Sequence, residues 1–334
     1  MEKIKKFFLH WEWILVVLIV ATFAFFSNKL GDSYTFVKLL DQTRVYIVDV
    51  GFMALGIMLI LILGDIDISI GSTAALSVTV MAVAYKSGEG LPFSVSILLA
   101  LLVGIVCGLF NGVLVTRFKE LFPMIITLST QTIYRGIAYI ILKDQSAGGF
   151  PTWFSKRLGY GKVFDVIPIM LLCILLMFPI FYFIVHRTAF GRQLFAIGTN
   201  INAARYSGVR TDRLKVLIFA GSGLLAAIGG IFLTSRTGSV KYTIATGYEM
   251  QAIAVAVLGG ASTSGGKGSV IGLLLSLILM TCLKNGLMIA YNDSFILNLS
   301  IGVLLIAVVL IPNITNAIRA REELKRRRQA SAVQ

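Results

Sequence analysis

The chain has 334 residues, 57% of them hydrophobic and only 14% charged, with a formal net charge of +14 and a mean hydropathy of +0.87. A soluble domain carries about 25% charged residues, so this composition excludes a soluble globular protein, and the basic excess reads as membrane orientation rather than a nucleic-acid surface. The three cysteines, Cys107, Cys173 and Cys282, all fall in apolar runs without metal-ligand spacing, and there are only two histidines, His10 and His186. They predict small packing residues, with no metal site and no disulfide framework.

Apolar runs of the length that crosses a hydrocarbon core of about 30 Å recur along the chain. They predict an all-α, polytopic transmembrane bundle of about ten spans, roughly 13–28, 44–63, 70–86, 93–116, 123–142, 165–186, 214–234, 249–262, 269–290 and 296–311. The basic start, MEKIKK, leads into the first apolar run with no A-x-A-like cleavage site, so that run reads as an uncleaved span. The third and eighth spans are rich in Ala, Ser and Gly, a composition suited to helices enclosed by other helices. With the N-terminus inside, the inner segments hold 18 Lys and Arg and the outer segments 10, Arg135 and Lys284 lying within spans. Both termini are therefore expected in the cytoplasm, the basic tail 313–334 included.

In chain order, the first polar interruption is LGDIDISIGS, Leu63 to Ser72. Asp67 or Ser69 can cap the following helix by accepting its free N–H groups. Two carboxylates at a membrane edge also suit a proton or cation site, although no basic partner lies nearby in sequence. VGIVCGLFNG places Gly104, Gly108 and Gly112 four apart, a bare strip for close helix packing. In PMIITLSTQTIYRG, Pro123 to Gly136, Thr127, Thr130 and Tyr134 share one helical face. Such a stripe either hydrogen-bonds neighbouring helices or lines a wet pathway, for which Thr127, Ser129, Gln131 and Tyr134 are the candidates. Arg135 and Lys284 lie close enough to span ends to snorkel.

The segment 143–164, KDQSAGGFPTWFSKRLGYGKVF, reads as an interfacial loop or short helix. Two phosphate-binding patterns fail on context. GSGLLA, Gly221 to Ala226, lies inside an apolar span rather than after a strand. GASTSGGKGS, Gly260 to Ser269, has Ala261 and Gly268 where a P-loop needs Gly and Ser or Thr. The latter loop resembles the one at 63–72 and falls on the same side, which hints at a repeat.

Between two strongly apolar runs lies TNINAARYSGVRTDRLK, Thr199 to Lys215, with Arg205, Arg210, Arg213 and Lys215 against Asp212. As composition this is a topology signal. Its spacing, NAARYSG, resembles the E-A-A-x-x-x-G signature of permeases of ATP-binding-cassette importers, with Asn202 in place of the usual Glu. TAFGRQLFAIGTNINAARYSGV is similar to the same loop of the ribose-type monosaccharide permease family. GDIDISIGS is similar to that family's G-G-I-D-L-S-x-G-S, with Asp65 at the second Gly. GLFNGVLV, ITLSTQTIYRG and VAVLGGASTSGGKGSVIG follow in family order, so the resemblance spans about residues 10–312.

The resemblance implies one transmembrane permease domain over 1–334, working in a bacterial inner membrane as a homodimer or with a paralogous permease. It implies no chemistry and no cofactor in this chain. ATP and magnesium would sit on a cytosolic ATPase, often a tandem-cassette subunit, and an extracytoplasmic binding protein would deliver a monosaccharide. Autoinducer-2 is the alternative cargo. Residues 187–213 would form the ATPase-coupling loop, with Ala203, Ala204 and Gly208 shaping a docking helix behind Asn202, and Arg205 and Arg210 as ionic contacts. An ion-coupled secondary transporter would instead need intramembrane carboxylates, for which Asp65 and Asp67 are the candidates.

Overall fold

Helices dominate because an apolar environment offers the backbone no hydrogen-bond partner outside its own helix. In a computed structural model, residues 11–292 are described, together with Leu299, Gly302, Val303 and Ile306 singly. Apart from those four residues, the expected tenth span at 296–311 lies outside the described residues, as do the tail 313–334 and His10. The helices are α1 (Trp11–Leu30), α2 (Phe36–Thr43), α3 (Asp49–Ile62), α4 (Ile70–Tyr85), α5 (Phe93–Arg117) and α6 (Pro123–Leu142). They continue with α7 (Ile169–Arg187), α8 (Ala189–Thr199), α9 (Ile201–Tyr206), α10 (Thr211–Thr237), α11 (Tyr248–Leu258) and α12 (Val270–Tyr291). Among the described residues, strand is confined to a ribbon of β1 (Lys162–Val163) against β2 (Ile167–Pro168).

Among the described residues, seven helices are long and apolar enough to cross a membrane: α1, the continuous α2–α3 rod, α5, α6, α7, α10 and α12. The third and eighth expected spans are shorter than a crossing. α4 has 16 residues and α11 has 11, about 24 and 16 Å at 1.5 Å per residue. Both lie inside the bundle, where packing against protein rather than lipid sets their length and composition.

α3 is buried along its entire length, as a helix apolar on all sides must be. α10 packs against α3, α4 and α5, while α12 carries α1 on the periphery. The α5–α10 crossing is close because of glycine. A Cβ on Gly104 would meet that of Ala227 at 2.6 Å, one on Gly108 would meet Ala220 Cα at 2.9 Å, and one on Gly112 would meet Val216 Cα at 2.8 Å. The dinucleotide-like GSGLLA lies within α10, where Gly223 faces this same strip.

Residues 143–164 lie against the bundle through side chains rather than as a free loop. Phe150, Trp153 and Phe154 cluster with Phe93, and Ala147 bridges Val240 in antiparallel fashion. The intramembrane cations are partnered rather than extended toward water. Arg236 meets the fully buried Asp49 at 2.5 Å. Lys284 bonds Gln251 at 3.4 Å and lies over the Tyr46 ring.

Candidate functional site

The basic segment folds into a knob of two short helices. Thr188 begins α8, its Oγ1 accepting from Gly191 N–H. Asn200 begins α9, its Oδ1 accepting from the N–H groups of Asn202 and Ala203 at 3.0 Å each. This satisfies donors that a helix start leaves free. The far end closes at Gly208, whose φ of +85° turns the chain so that Val209 N–H reaches Ala204 C=O at 3.1 Å. Gly favours this left-handed cap because it has no Cβ to oppose positive φ.

Ala204 faces inward and is buried, while Asn202, Ala203, Ser207, Gly208 and Arg210 are exposed. Tyr206 at the tip is 93% exposed. Arg205 lies back across the turn, with its Nη2 3.3 Å from Asp212 Oδ1 and 3.3 Å from Thr211 Oγ1. Asp212 in turn accepts from Lys119 at 2.8 Å. Of the two arginines expected to face a partner, Arg210 is therefore turned outward and Arg205 is engaged internally.

Beneath the knob meet the two loops that look alike in sequence. Gly266 N–H donates to Ile62 C=O at 2.8 Å, and a Cβ on Gly64 would lie 3.6 Å from Gly265 Cα. A Cβ on Gly266 would meet Thr199 Cα at 3.2 Å, so the end of α8 rests on both loops. Asp65 finds the basic partner its sequence neighbourhood lacks: Lys215 Nζ lies 2.9 and 2.7 Å from its two carboxylate oxygens. Burial raises the Asp65 pKa above the usual carboxylate range, and Lys215 opposes that shift. A cavity of about 340 Å³ lies behind α9 and is lined by Asp65, Lys119, Arg205, Asp212 and Lys215 among others.

A second polar system joins α5, α6 and the loop before α4. Asp67 Oδ1 accepts from Ser69 N–H at 2.8 Å and Ser69 Oγ–H at 2.7 Å. Asp67 thus shapes the turn into α4, while the Ser69 hydroxyl accepts from Asn111 Nδ2 at 2.7 Å. Tyr134 Oη–H lies 3.0 Å from both Asn111 Oδ1 and Cys107 C=O. Thr127 Oγ1 donates to Ile66 C=O and accepts from Ile68 N–H, each at 3.2 Å. Asn111 is the hub and was missed from sequence; its signal was an amide inside an otherwise apolar span.

The four pathway candidates therefore separate. Thr127 and Tyr134 are buried in this network, and Ser129 is exposed and bonds to its own helix at Ile125 C=O. Gln131 alone lines a groove of about 620 Å³ between α6 and residues 242–246. Arg135 joins the groove's two walls, its Nη1 donating to Tyr242 C=O at 2.6 Å and Ile244 C=O at 2.7 Å. Gln131 Nε2 donates to Glu249 Oε1 at 3.3 Å. Among the described residues, no group of three or more His, Cys, Asp or Glu is placed to hold a metal.

Comparison with known proteins covers nearly the whole chain. The ribose import permease protein RbsC of Bacillus subtilis is 36% identical over 302 residues, 89% of each chain. The autoinducer 2 import system permease protein LsrD of Yersinia enterocolitica is 34% identical over 308 residues, 90% of this chain and 91% of that one. LsrC of Photorhabdus laumondii, an autoinducer 2 import permease, is 36% identical over 259 residues, 77% of this chain and 76% of that one. No solved structure matches. The family described as the permease component of the branched-chain amino acid transport system matches residues 39–311. With a multi-pass helical bundle, a family match over residues 39–311 and the import permeases named above as relatives, the chain belongs to this permease family.

Proposed function

We propose that the chain is the membrane-spanning subunit of an ATP-binding-cassette importer in a bacterial inner membrane, carrying a neutral monosaccharide. The observation that carries this reading is the basic knob, a capped helix with an outward face of Ala203, Tyr206 and Arg210 seated on the loops that follow α3 and α11. A small-residue surface permits close docking, and an arginine suits an acidic groove on a partner. Motion at the knob has a direct route to α3 and α11, because the loops beneath it end those helices, and to α10, which follows the knob along the chain.

In this reading the knob docks on a cytosolic ATPase, which binds the ATP and magnesium, and an extracytoplasmic binding protein supplies the cargo. Two permease copies, or this chain and a paralogue, enclose the path. Both termini face the cytoplasm, and the bundle has about ten membrane segments, as expected from the apolar runs of the sequence. Sugar is favoured over amino acid because the relatives named above import ribose or autoinducer 2. The groove beside Gln131 also carries hydroxyls and an amide rather than a paired carboxylate and ammonium.

Autoinducer 2 is the second reading, on the names of LsrD and LsrC. An ion-coupled transporter fits less well, because Asp65 is paired with Lys215 and Asp67 with Ser69. Purification of the tagged chain from its native host tests the proposal. An ATPase of tandem-cassette size should copurify, and vesicles without that ATPase should fail to accumulate cargo. Undiminished uptake by such vesicles would remove the importer assignment.

A further inference from the structure

We infer that the groove between α6 and residues 242–246 is the seat in which the cargo's ring is held during passage, with Ser72, Gln131 and Thr246 gripping its hydroxyl groups. This rests on the reading that the cargo is a neutral monosaccharide. The groove's volume, about 620 Å³, lies within the range of roughly 300–1,000 Å³ typical of small-molecule sites.

The strongest sign of a missing partner is Ser72. Ser72 is among the residues that line the groove, and its buried Oγ has no hydrogen-bond partner among the described residues. A serine inside a helix usually bonds back to its own backbone. Ser77, in the same helix, does so, donating to Thr73 C=O at 2.8 Å. An unmet buried hydroxyl is unfavourable, and a hydroxyl on a ligand would meet it.

The neighbouring groups are set in position by others. Glu249 is buried, and its Oε1 accepts from Gly247 N–H at 3.1 Å as well as from Gln131 Nε2. That bond fixes the Gln131 amide and leaves its carbonyl oxygen free to accept from a ligand. Thr246 Oγ1 donates to Thr243 C=O at 2.7 Å, so its lone pairs remain to accept. Arg135 is occupied by the two carbonyls of the facing wall.

Tyr139 and Tyr242 pack edge to face against each other in the groove wall, their centroids 5.0 Å apart, and their ring surface facing the groove is apolar, suited to the C–H face of a sugar ring. The short helices α4 and α11 both begin here: a Cβ on Gly71 would meet Ala245 C=O at 2.7 Å. The positive ends of their helix dipoles give the region a polarity suited to hydroxyl oxygens. The charged lining group Arg135 is held by backbone carbonyls, which leaves hydroxyls and an amide to meet a neutral polyhydroxylated ring.

The test uses the permease with its ATPase and binding protein in proteoliposomes. These are offered an equimolar mixture of D-ribose, D-xylose, D-glucose and their deoxy analogues, and internal contents are quantified by mass spectrometry. Ser72→Ala should lower the preference for the parent sugar over one deoxy analogue about tenfold, the discrimination expected of one hydrogen bond. Thr246→Val, at an exposed position tolerant of substitution, should lower it for a different hydroxyl. The binding protein is the same throughout, so a changed ratio belongs to the permease.

A purely structural Ser72 predicts higher thermal stability in the alanine variant and an unaltered ratio. Unaltered ratios in both variants, with ATP-dependent uptake by the wild type, overturn this inference and leave the permease reading standing. A wild-type complex that accumulates none of the sugars overturns the monosaccharide reading of the cargo, and the inference with it.

Discussion

The knob and the groove are both polar sites in an apolar protein, but they are assembled in opposite ways. The knob is local: Asn200 caps two and three residues ahead, Gly208 closes a turn on Ala204, and Arg205 reaches Asp212 seven positions on. The groove is assembled from distant partners, with Arg135 bonding across 107 and 109 residues and Gln131 across 118. A local device keeps its shape while the helices around it rearrange. A site pinned across the bundle changes when helices move, which suits a cargo seat that must bind and then release.

The largest effect should come from breaking the knob's turn. Gly208→Val places a β-branched residue at φ +85°, where L side chains are opposed by their own Cβ. Uptake should fall to background and ATPase stimulation should be lost, with membrane insertion intact. Since nothing lies within 4 Å of a Cβ at this position, conformation rather than space is the obstacle. Gly208→Asn, which tolerates positive φ, should therefore keep much of the transport. Equal loss in both variants would contradict a purely conformational role.

Next in size is the joint between knob and bundle. Lys215→Met leaves Asp65 buried without its cation, a loss of about 3–5 kcal/mol for a buried pair. Thermal unfolding in detergent should show it, and Asp65→Asn in the same chain should restore much of the stability. On the groove side, Arg135→Gln frees the carbonyls of Tyr242 and Ile244 and should cost about 1–3 kcal/mol. Hydrogen exchange should then rise across residues 240–247 and stay unchanged in α9. Faster exchange in α9 would break the contrast between the two regions.

The smallest effect belongs to Asn200→Ala, about 1 kcal/mol for a lost helix cap. Exchange at Asn202 and Ala203 should quicken, and Gln131 and its neighbours should not respond. A response in the groove would mean that the knob is coupled to it even at rest.

Much of this was legible from local pattern. Long apolar runs locate the spanning helices, because hydrocarbon demands both their length and their composition. The strip at Gly104, Gly108 and Gly112 was evident from spacing alone. The site was legible only where its contacts are short-range. Asn202, Ala203, Ala204, Arg205, Gly208 and Arg210 were all named from sequence, but Asn200, the residue that caps the helix, was passed over. The polar stripe on α6 was visible without its outcome: Thr127 and Tyr134 turn into a buried network, and Gln131 turns to the groove.

By itself the sequence determined a helical membrane protein with a basic, sharply turned segment, because hydropathy and turn chemistry act over a few residues. Only the tertiary structure decided that α4 and α11 stop short of a full crossing. It alone gave Asp65 a cation 150 residues away and left Ser72 without a partner beside a groove. Such pairings follow from which helices share a face, and that is settled by packing across the whole bundle rather than by any one stretch of chain.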